Sequence, residues 1–205
     1  MNREITQEEW VQALNSHRIW ASTYGKEEAQ NGIRLTLQGS KLKGVIVQNA
    51  DLSSCELVNC EIFDTVFREC DYTQADIIES VFSNCLFEGC TFRKANLRGS
   101  DFRASKFLNC DFSRAELTDA HLLRAHIIDC SLDWAWLIRT DLRYATMQGS
   151  SFAHARLLDT KIYNDSRQSL GSVEGAIVKD ADFSPQADGS VKMGAEVLNL
   201  LTTNT

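Results

Sequence analysis

The side chains best suited to metal binding or redox chemistry are the seven cysteines, which are regularly spaced. Every interval between them is a multiple of five residues: Cys55, Cys60, Cys70, Cys85, Cys90, Cys110 and Cys130. Thiols in a straight line cannot supply tetrahedral zinc ligation, and parallel Cβ atoms one strand spacing apart suit a disulfide poorly. We therefore expect no metal site and no cofactor, and interpret the cysteines as small buried side chains in a reducing compartment.

The four histidines are the next candidates for chemistry: His17, His121, His126 and His154. His121 and His126 are five residues apart, which predicts adjacent sides of the fold and imidazoles that point apart. The sequence contains no nucleophile and base pair, no phosphate-binding glycine loop and no metal-ligand spacing. We therefore predict that the chain has no enzymatic activity.

These residues belong to a long pattern in which a large apolar residue returns at every fifth position from Leu37 to Ile162. From Leu52 onward, a small residue precedes each apolar one by two positions. A period of five fits neither a helix nor an alternating strand, so it predicts a repeat architecture. If four repeats make one coil, residues twenty apart stack, and Phe67, Phe87 and Phe107 then form one buried column.

Several five-residue units resemble the A(D/N)LXX unit of pentapeptide-repeat proteins, namely residues 95–99 (ANLRG), 100–104 (SDFRA) and 110–114 (CDFSR). The resemblance covers about two thirds of the chain. It implies an all-β fold, a right-handed quadrilateral β-helix. It does not imply a single function, because proteins with different roles share this unit.

We divide the chain into four parts: an N-terminal helical cap and lead-in (1–32), the β-helix (33–165), a loop with the last, out-of-phase repeats (166–190), and a C-terminal helix with its tail (191–205). Thr6 and Glu9 form a capping-box pattern, which predicts a helix over 6–20. We expect its apolar residues to cover the open bottom of the tower: Trp10, Val11, Leu14, Ile19 and Trp20. The second helix, predicted over 191–202, either caps the top or pairs with a second copy through Met193, Val197, Leu200 and Leu201.

Composition limits the cellular setting and the partners. The net charge is −7, there is one proline, and no charged-then-apolar leader or long apolar run is present. We expect a cytoplasmic protein that does not enter a membrane. No side is consistently basic, which argues against direct nucleic-acid binding.

Acidic residues collect one position before the repeat centres. Asp51, Asp71 and Asp111 belong to one predicted column, and Asp76 belongs to the next. Regular negative charge on a rod could imitate a phosphate backbone. Alternatively, each Asp caps the turn at its corner through a side-chain oxygen.

Apolar residues also occupy outward positions. Val66 and Leu86 are predicted to stack on one side, Trp134 and Trp136 lie on either side of one corner, and Tyr144 lies two corners further on. Stacked exposed apolar residues favour a protein partner or a second copy.

We therefore expect a protein that presents a rigid rod to a protein partner. The resemblance implies an alternative, since the quinolone-resistance group of pentapeptide-repeat proteins are dimers that mimic DNA and bind type II topoisomerase (gyrase). In that case the acidic columns would be the binding site and the C-terminal helix would form a homodimer.

Overall fold

The computed structural model describes residues 3–24, 32–162, 176–179, 181–182 and 192–193. Between residues 32 and 162 the chain winds into a four-sided tower in which each five-residue repeat forms one side. Parallel pairing joins residues twenty apart, as in Leu57 opposite Ile77 and Phe87 opposite Phe107. The predicted all-β solenoid is thereby confirmed.

The described elements are one helix and sixteen short strands. In chain order they are β1 (Arg3–Glu4), α1 (Gln7–Thr23), β2 (Thr36–Gln38), β3 (Ser40–Lys43), β4 (Ile46–Gln48), β5 (Glu56–Val58), β6 (Glu61–Phe63), β7 (Val66–Arg68), β8 (Asp76–Ile78), β9 (Val81–Ser83), β10 (Leu86–Glu88), β11 (Lys106–Leu108), β12 (His126–Ile128), β13 (Arg156–Leu158), β14 (Ile177–Lys179), β15 (Ala181–Asp182) and β16 (Lys192–Met193).

The four sides are numbered here by their lowest central residues: side 1 from Leu37, side 2 from Leu42, side 3 from Val47 and side 4 from Leu52. Strands β2, β5 and β8 build side 1, and β4, β7, β10, β11 and β12 build side 3. Side 4 is held by isolated parallel bridges such as Asp51 to Asp71. Each side therefore places chemically equivalent positions directly above one another.

The core is a set of buried columns of repeat centres. Phe67, Phe87 and Phe107 stack on side 3 with ring centroids 5.0 and 4.8 Å apart. Tyr72 and Phe92 stack on side 4 at 4.8 Å. From Cys55 onward, the small residue two positions before each centre is also buried, so it leaves room for the large side chain at the corner.

Every corner needs one residue with left-handed backbone, located two positions after the centre. Among the described corners, five of these residues are glycines and twenty carry a side chain, with φ between 50° and 68°. Since L-residues with a Cβ are disfavoured there, the fold stores conformational strain at its corners.

Helix α1 closes the bottom of the tower. Thr6 is its N-cap, and Thr6 and Glu9 form the predicted capping box. Trp10 is buried as predicted, but Val11 and Ile19 are exposed, so the expectation that they cover the bottom was wrong. The sequence analysis did not place His17 in the cap, but His17 is fully buried. It lies seven positions after Trp10, on the same face of the helix.

The remaining elements extend the ends of the tower. Strand β1 pairs with β3 and covers part of the lowest edge of side 2. Strand β14 continues side 1 above β13, with Val178 opposite Leu157, a separation of 21 residues that marks the shift of phase. Strand β16 pairs antiparallel with β15. The C-terminal helix therefore does not begin at 191 as predicted, because Lys192 and Met193 are extended, and residues 194–202 lie outside the described part.

Candidate interaction surface

The cysteines contribute to packing. All seven are free and buried. Several of the thiols donate hydrogen bonds to backbone carbonyl groups, as when that of Cys90 donates to the carbonyl oxygen of Phe67 at 3.5 Å. Burial raises the pKa of the Cys85 thiol to about 11, so that thiol is protonated at neutral pH. Within the described ranges, no three His, Cys, Asp or Glu side chains form a group that could hold a metal ion.

The acidic column on side 4 is engaged with its own backbone. Asp51, Asp71 and Asp111 each accept a hydrogen bond from the N–H two residues later, at 3.0, 2.8 and 2.8 Å. Thr91 interrupts the column between Asp71 and Asp111, and the Arg93 guanidinium lies 3.8 Å from the Asp111 carboxylate. This is the turn-capping arrangement that was the alternative to a free row of charge.

Asp76, on side 1, is likewise occupied. Its carboxylate accepts a hydrogen bond from the side-chain amide of Asn96 at 3.2 Å and lies 3.8 Å from Arg34. The four acidic candidates therefore lie on two adjacent sides, and each has polar partners within the tower.

The apolar candidates on side 3 do stack. Ile46 is opposite Val66, and Val66 is opposite Leu86. Ile46 is 67% exposed, whereas Val66 and Leu86 are half-buried. The stripe ends at Lys106, the next residue above Leu86. It is therefore short, with one strongly exposed member.

Tyr144 lies at the corner between sides 2 and 3, diagonally opposite the two tryptophans. The Arg124 guanidinium lies 6.0 Å from the centre of its ring. The structure thus does not bring Tyr144 together with Trp134 and Trp136. Of the dimerisation candidates, Met193 belongs to strand β16, while Val197, Leu200 and Leu201 lie outside the described residues.

The corner between sides 4 and 1, called here the tryptophan corner, contains both exposed indoles. Trp134 is 52% exposed and Trp136 is 44% exposed. The ring of His154 stacks on Trp134 at 4.3 Å, and the Arg156 guanidinium lies 5.6 Å from the centre of the Trp136 ring. Neighbouring side chains in the coil above thus hold both indoles in place.

A groove of about 570 Å³ runs down this corner below the indoles. Its polar walls come from Lys94, Arg98, Arg114 and Glu116, and Trp134 and Trp136 close its upper end. The groove therefore combines an aromatic end with a cationic end.

The tryptophan corner has an unusual set of residues at its left-handed backbone positions. Its left-handed positions are Ser54, Gln74, Lys94, Arg114, Trp134 and His154. Within the described part of the tower, each of the other three corners uses glycine, asparagine and aspartate among its left-handed residues, and this corner uses none of them. Those are the residue types that tolerate this conformation best, and another residue there costs about 1 kcal/mol.

The sequence analysis did not single out Lys94 or Arg114 as candidates. The signal that would have identified them was present in the sequence as one column of residues twenty positions apart. Reading residues 54, 74, 94, 114, 134 and 154 together shows a corner without glycine, asparagine or aspartate.

Comparison with known proteins supports the repeat assignment. The family described as pentapeptide repeats (9 copies) matches residues 79–135. No curated protein matches the chain. No helix in the described residues has the length and apolar character to cross a membrane.

Solved structures with a similar chain path include three pentapeptide-repeat proteins. Trypsin-treated QnrB1, a plasmid-mediated fluoroquinolone resistance protein, is 16% identical with a TM-score of 0.36, over 75% of this chain and 91% of its own. Rfr23 from the cyanobacterium Cyanothece 51142 is 10% identical with a TM-score of 0.35, over 73% and 91%. HetL from Nostoc sp. strain PCC 7120, which is involved in heterocyst differentiation regulation, is 18% identical with a TM-score of 0.26, over 91% and 99%.

Proposed function

We propose that the chain, whose repeats match the pentapeptide-repeat model over residues 79–135, is a non-enzymatic interaction protein that presents the tryptophan corner of a rigid rod to a partner protein. The observation that carries this proposal is the residue choice at that corner. Lys94, Arg114 and Trp134 occupy strained left-handed positions where glycine or asparagine would be more stable. Backbone strain of this kind is typical of residues kept for function.

The indoles suit the centre of an interface. Tryptophan and arginine are enriched among the residues that contribute most to binding free energy. Trp134 and Trp136 are each about half exposed, and contacts with His154 and Arg156 limit their motion. Side chains that are already ordered lose less conformational entropy when a partner binds.

We test the proposal by affinity capture with the purified protein, using lysate of its own host cells. The variant Trp134→Ser/Trp136→Ser removes both indoles, and Ile46→Ser is the matched control on side 3. We expect a protein that is retained by wild type and by the Ile46 variant and lost from the double variant. Loss from the Ile46 variant instead would move the interface to the side 3 stripe, and capture of no partner by wild type would contradict the proposal.

The alternative function is a DNA mimic that binds gyrase. A mimic needs carboxylates that can face the partner. On side 4 the carboxylates of Asp51, Asp71 and Asp111 accept hydrogen bonds from their own turns, and Thr91 interrupts the row. These contacts support the protein-partner proposal over the mimic.

A DNA supercoiling assay with purified gyrase distinguishes the two proposed functions. The triple variant Asp51→Asn/Asp71→Asn/Asp111→Asn removes charge but keeps a side-chain oxygen that can cap each turn. The protein-partner proposal expects no inhibition by wild type. Inhibition at micromolar concentration that the triple variant has lost would replace it with the mimic.

A further inference from the structure

The cations of the tryptophan corner differ from most others on the tower in having no ion pair. Elsewhere Lys41 lies 2.7 Å from Glu61, Arg139 lies 2.7 Å from Asp119 and Arg143 lies 2.6 Å from Asp141. Within the described ranges, Lys94, Arg98 and Arg114 have no carboxylate oxygen within 4.0 Å. Arg98 interacts electrostatically with the Asp119 carboxylate, so the charges of Lys94 and Arg114 are the most available to an incoming group.

These cations are also held close together. The Lys94 N–H donates to the carbonyl of Ser113 and the Arg114 N–H donates to that of Asp133, so the two residues stack in adjacent coils. Coils are about 4.8 Å apart, and like charges at that spacing repel. Glu116, the one acidic residue lining the groove, accepts a hydrogen bond from the Thr118 hydroxyl at 2.5 Å. An anionic ligand would therefore remove a repulsion that the free protein retains.

We propose that the tryptophan corner binds an acidic segment of a partner protein, with carboxylates against Lys94, Arg98 and Arg114 and an apolar side chain against Trp134 and Trp136. This inference rests on the proposed function and adds the chemistry of the partner. The groove supplies guanidinium groups that pair with carboxylates in bidentate geometry and indole faces that bind apolar or aromatic groups.

A protein segment fits the charge better than a nucleic acid does. The three cations lie within two coils, a distance of about 10 Å along the tower. The chain as a whole carries a net charge of −7, which repels a long polyanion more strongly than it repels a few carboxylates. A few carboxylates beside an apolar residue match the short cationic patch and the aromatic end together.

The experiment uses a defined probe, a capped peptide of alternating Glu and Ser with one central Phe. Binding is followed by tryptophan fluorescence and by calorimetry, and the same peptide with Gln for Glu is the uncharged control. We expect saturable binding of the Glu peptide that weakens with added salt, and at least tenfold weaker binding of the Gln peptide.

Two double variants test the site. Lys94→Gln/Arg114→Gln should lower the affinity at least tenfold, because each lost charge-assisted contact contributes substantially. Lys106→Gln/Arg124→Gln removes equal charge on the other side of the tower, and Arg124 has the same left-handed backbone as Arg114. This control should bind like wild type. All four positions are exposed, and circular dichroism and thermal unfolding verify that the variants fold.

Three outcomes would overturn the inference: no binding of the Glu peptide, equal loss in both double variants, or tighter binding of a dodecameric thymidine oligonucleotide than of the peptide. The last result would indicate a nucleic-acid site. The proposed function is judged separately. If capture of a host-cell protein depends on Trp134 and Trp136 but not on Lys94 and Arg114, the proposed interface is supported and the proposed acidic segment is contradicted.

Discussion

Tyr72 occupies a position on side 4 that phenylalanine fills in the next two coils. Its ring stacks on Phe92 at 4.8 Å, and Phe92 stacks on Phe112 at 4.8 Å. Tyr72 is fully buried, and no group in the described residues forms a hydrogen bond with its hydroxyl. Burial raises the pKa of this phenol well above its usual value. The site thus fits an aromatic ring and leaves the oxygen unsatisfied.

We predict that Tyr72→Phe stabilises the protein by about 1 kcal/mol, because it removes a buried polar group without changing the ring. Urea unfolding followed by circular dichroism measures the change. The opposite change one coil above, Phe92→Tyr, should lower stability, since it would bury a second hydroxyl in the same column. If Tyr72→Phe destabilised the protein, the hydroxyl would have to have a partner.

Helix α1 is joined to the tower through His17. The Leu35 N–H, at the start of the lowest coil, donates to His17 Nδ1 at 3.0 Å. Only a neutral imidazole can accept this bond. Burial lowers the pKa of His17, an effect that the nearby Asp51 carboxylate partly offsets. The cap therefore depends on an imidazole that is neutral in the folded protein.

We predict that acidification weakens the folded state through His17. In the unfolded chain a histidine titrates near pH 6.5. Below that pH the unfolded chain takes up a proton that the folded chain resists, so stability falls as the pH is lowered toward the depressed pKa. Between pH 7 and 5.5 the loss from this residue should approach about 1 kcal/mol.

His17→Gln tests this prediction, because glutamine can accept the Leu35 bond but does not titrate. Its free energy of unfolding should vary less between pH 7 and 5.5 than that of wild type. His121→Gln, at an exposed position, is the matched control and should keep the wild-type dependence. An unchanged slope in the His17 variant would place the pH dependence elsewhere.

The two ends of the tower differ in how far sequence predicted them. The helix start followed from Thr6 and Glu9, because a capping box is a local signal. The burial of His17 could not be predicted in this way, because it depends on a hydrogen bond from the Leu35 N–H, at a coil edge eighteen residues away. The prediction that the C-terminal helix starts at residue 191 was wrong for a similar reason, because Lys192 and Met193 form strand β16, which pairs with β15.

Across the tower as a whole, the five-residue period was enough to predict the fold. It fixes which side chains point inward, and the pairing of Phe67, Phe87 and Phe107 follows from a coil of twenty residues. The candidate surface was only partly predictable. Trp134 and Trp136 were identified as exposed, whereas the unpaired charge of Lys94 and Arg114 depends on where every neighbouring carboxylate lies.

The same repeat geometry makes the length of a coil a strict unit, which a deletion can test. Each coil contacts only its neighbours, so removing one whole coil should preserve the register above and below the cut. Deleting residues 51–70 joins Ala50 directly to Asp71, so Asp71 takes the place of Asp51. The residues that line the groove, from Lys94 to Trp136, are unchanged. We expect this variant to fold, to unfold cooperatively at a lower temperature, and to bind the Glu peptide as wild type does.

Deleting only residues 51–68 is the control, because it leaves the following repeats shifted by two residues. Above the cut, residues that point outward in the wild type would then occupy inward positions over the lower coil. Their polar groups would be buried without partners. We expect that variant to lose its circular dichroism signal and its cooperative transition. If both deletions behaved alike, the tower would not be stabilised by coil-to-coil register, since only the twenty-residue deletion keeps every apolar centre above another.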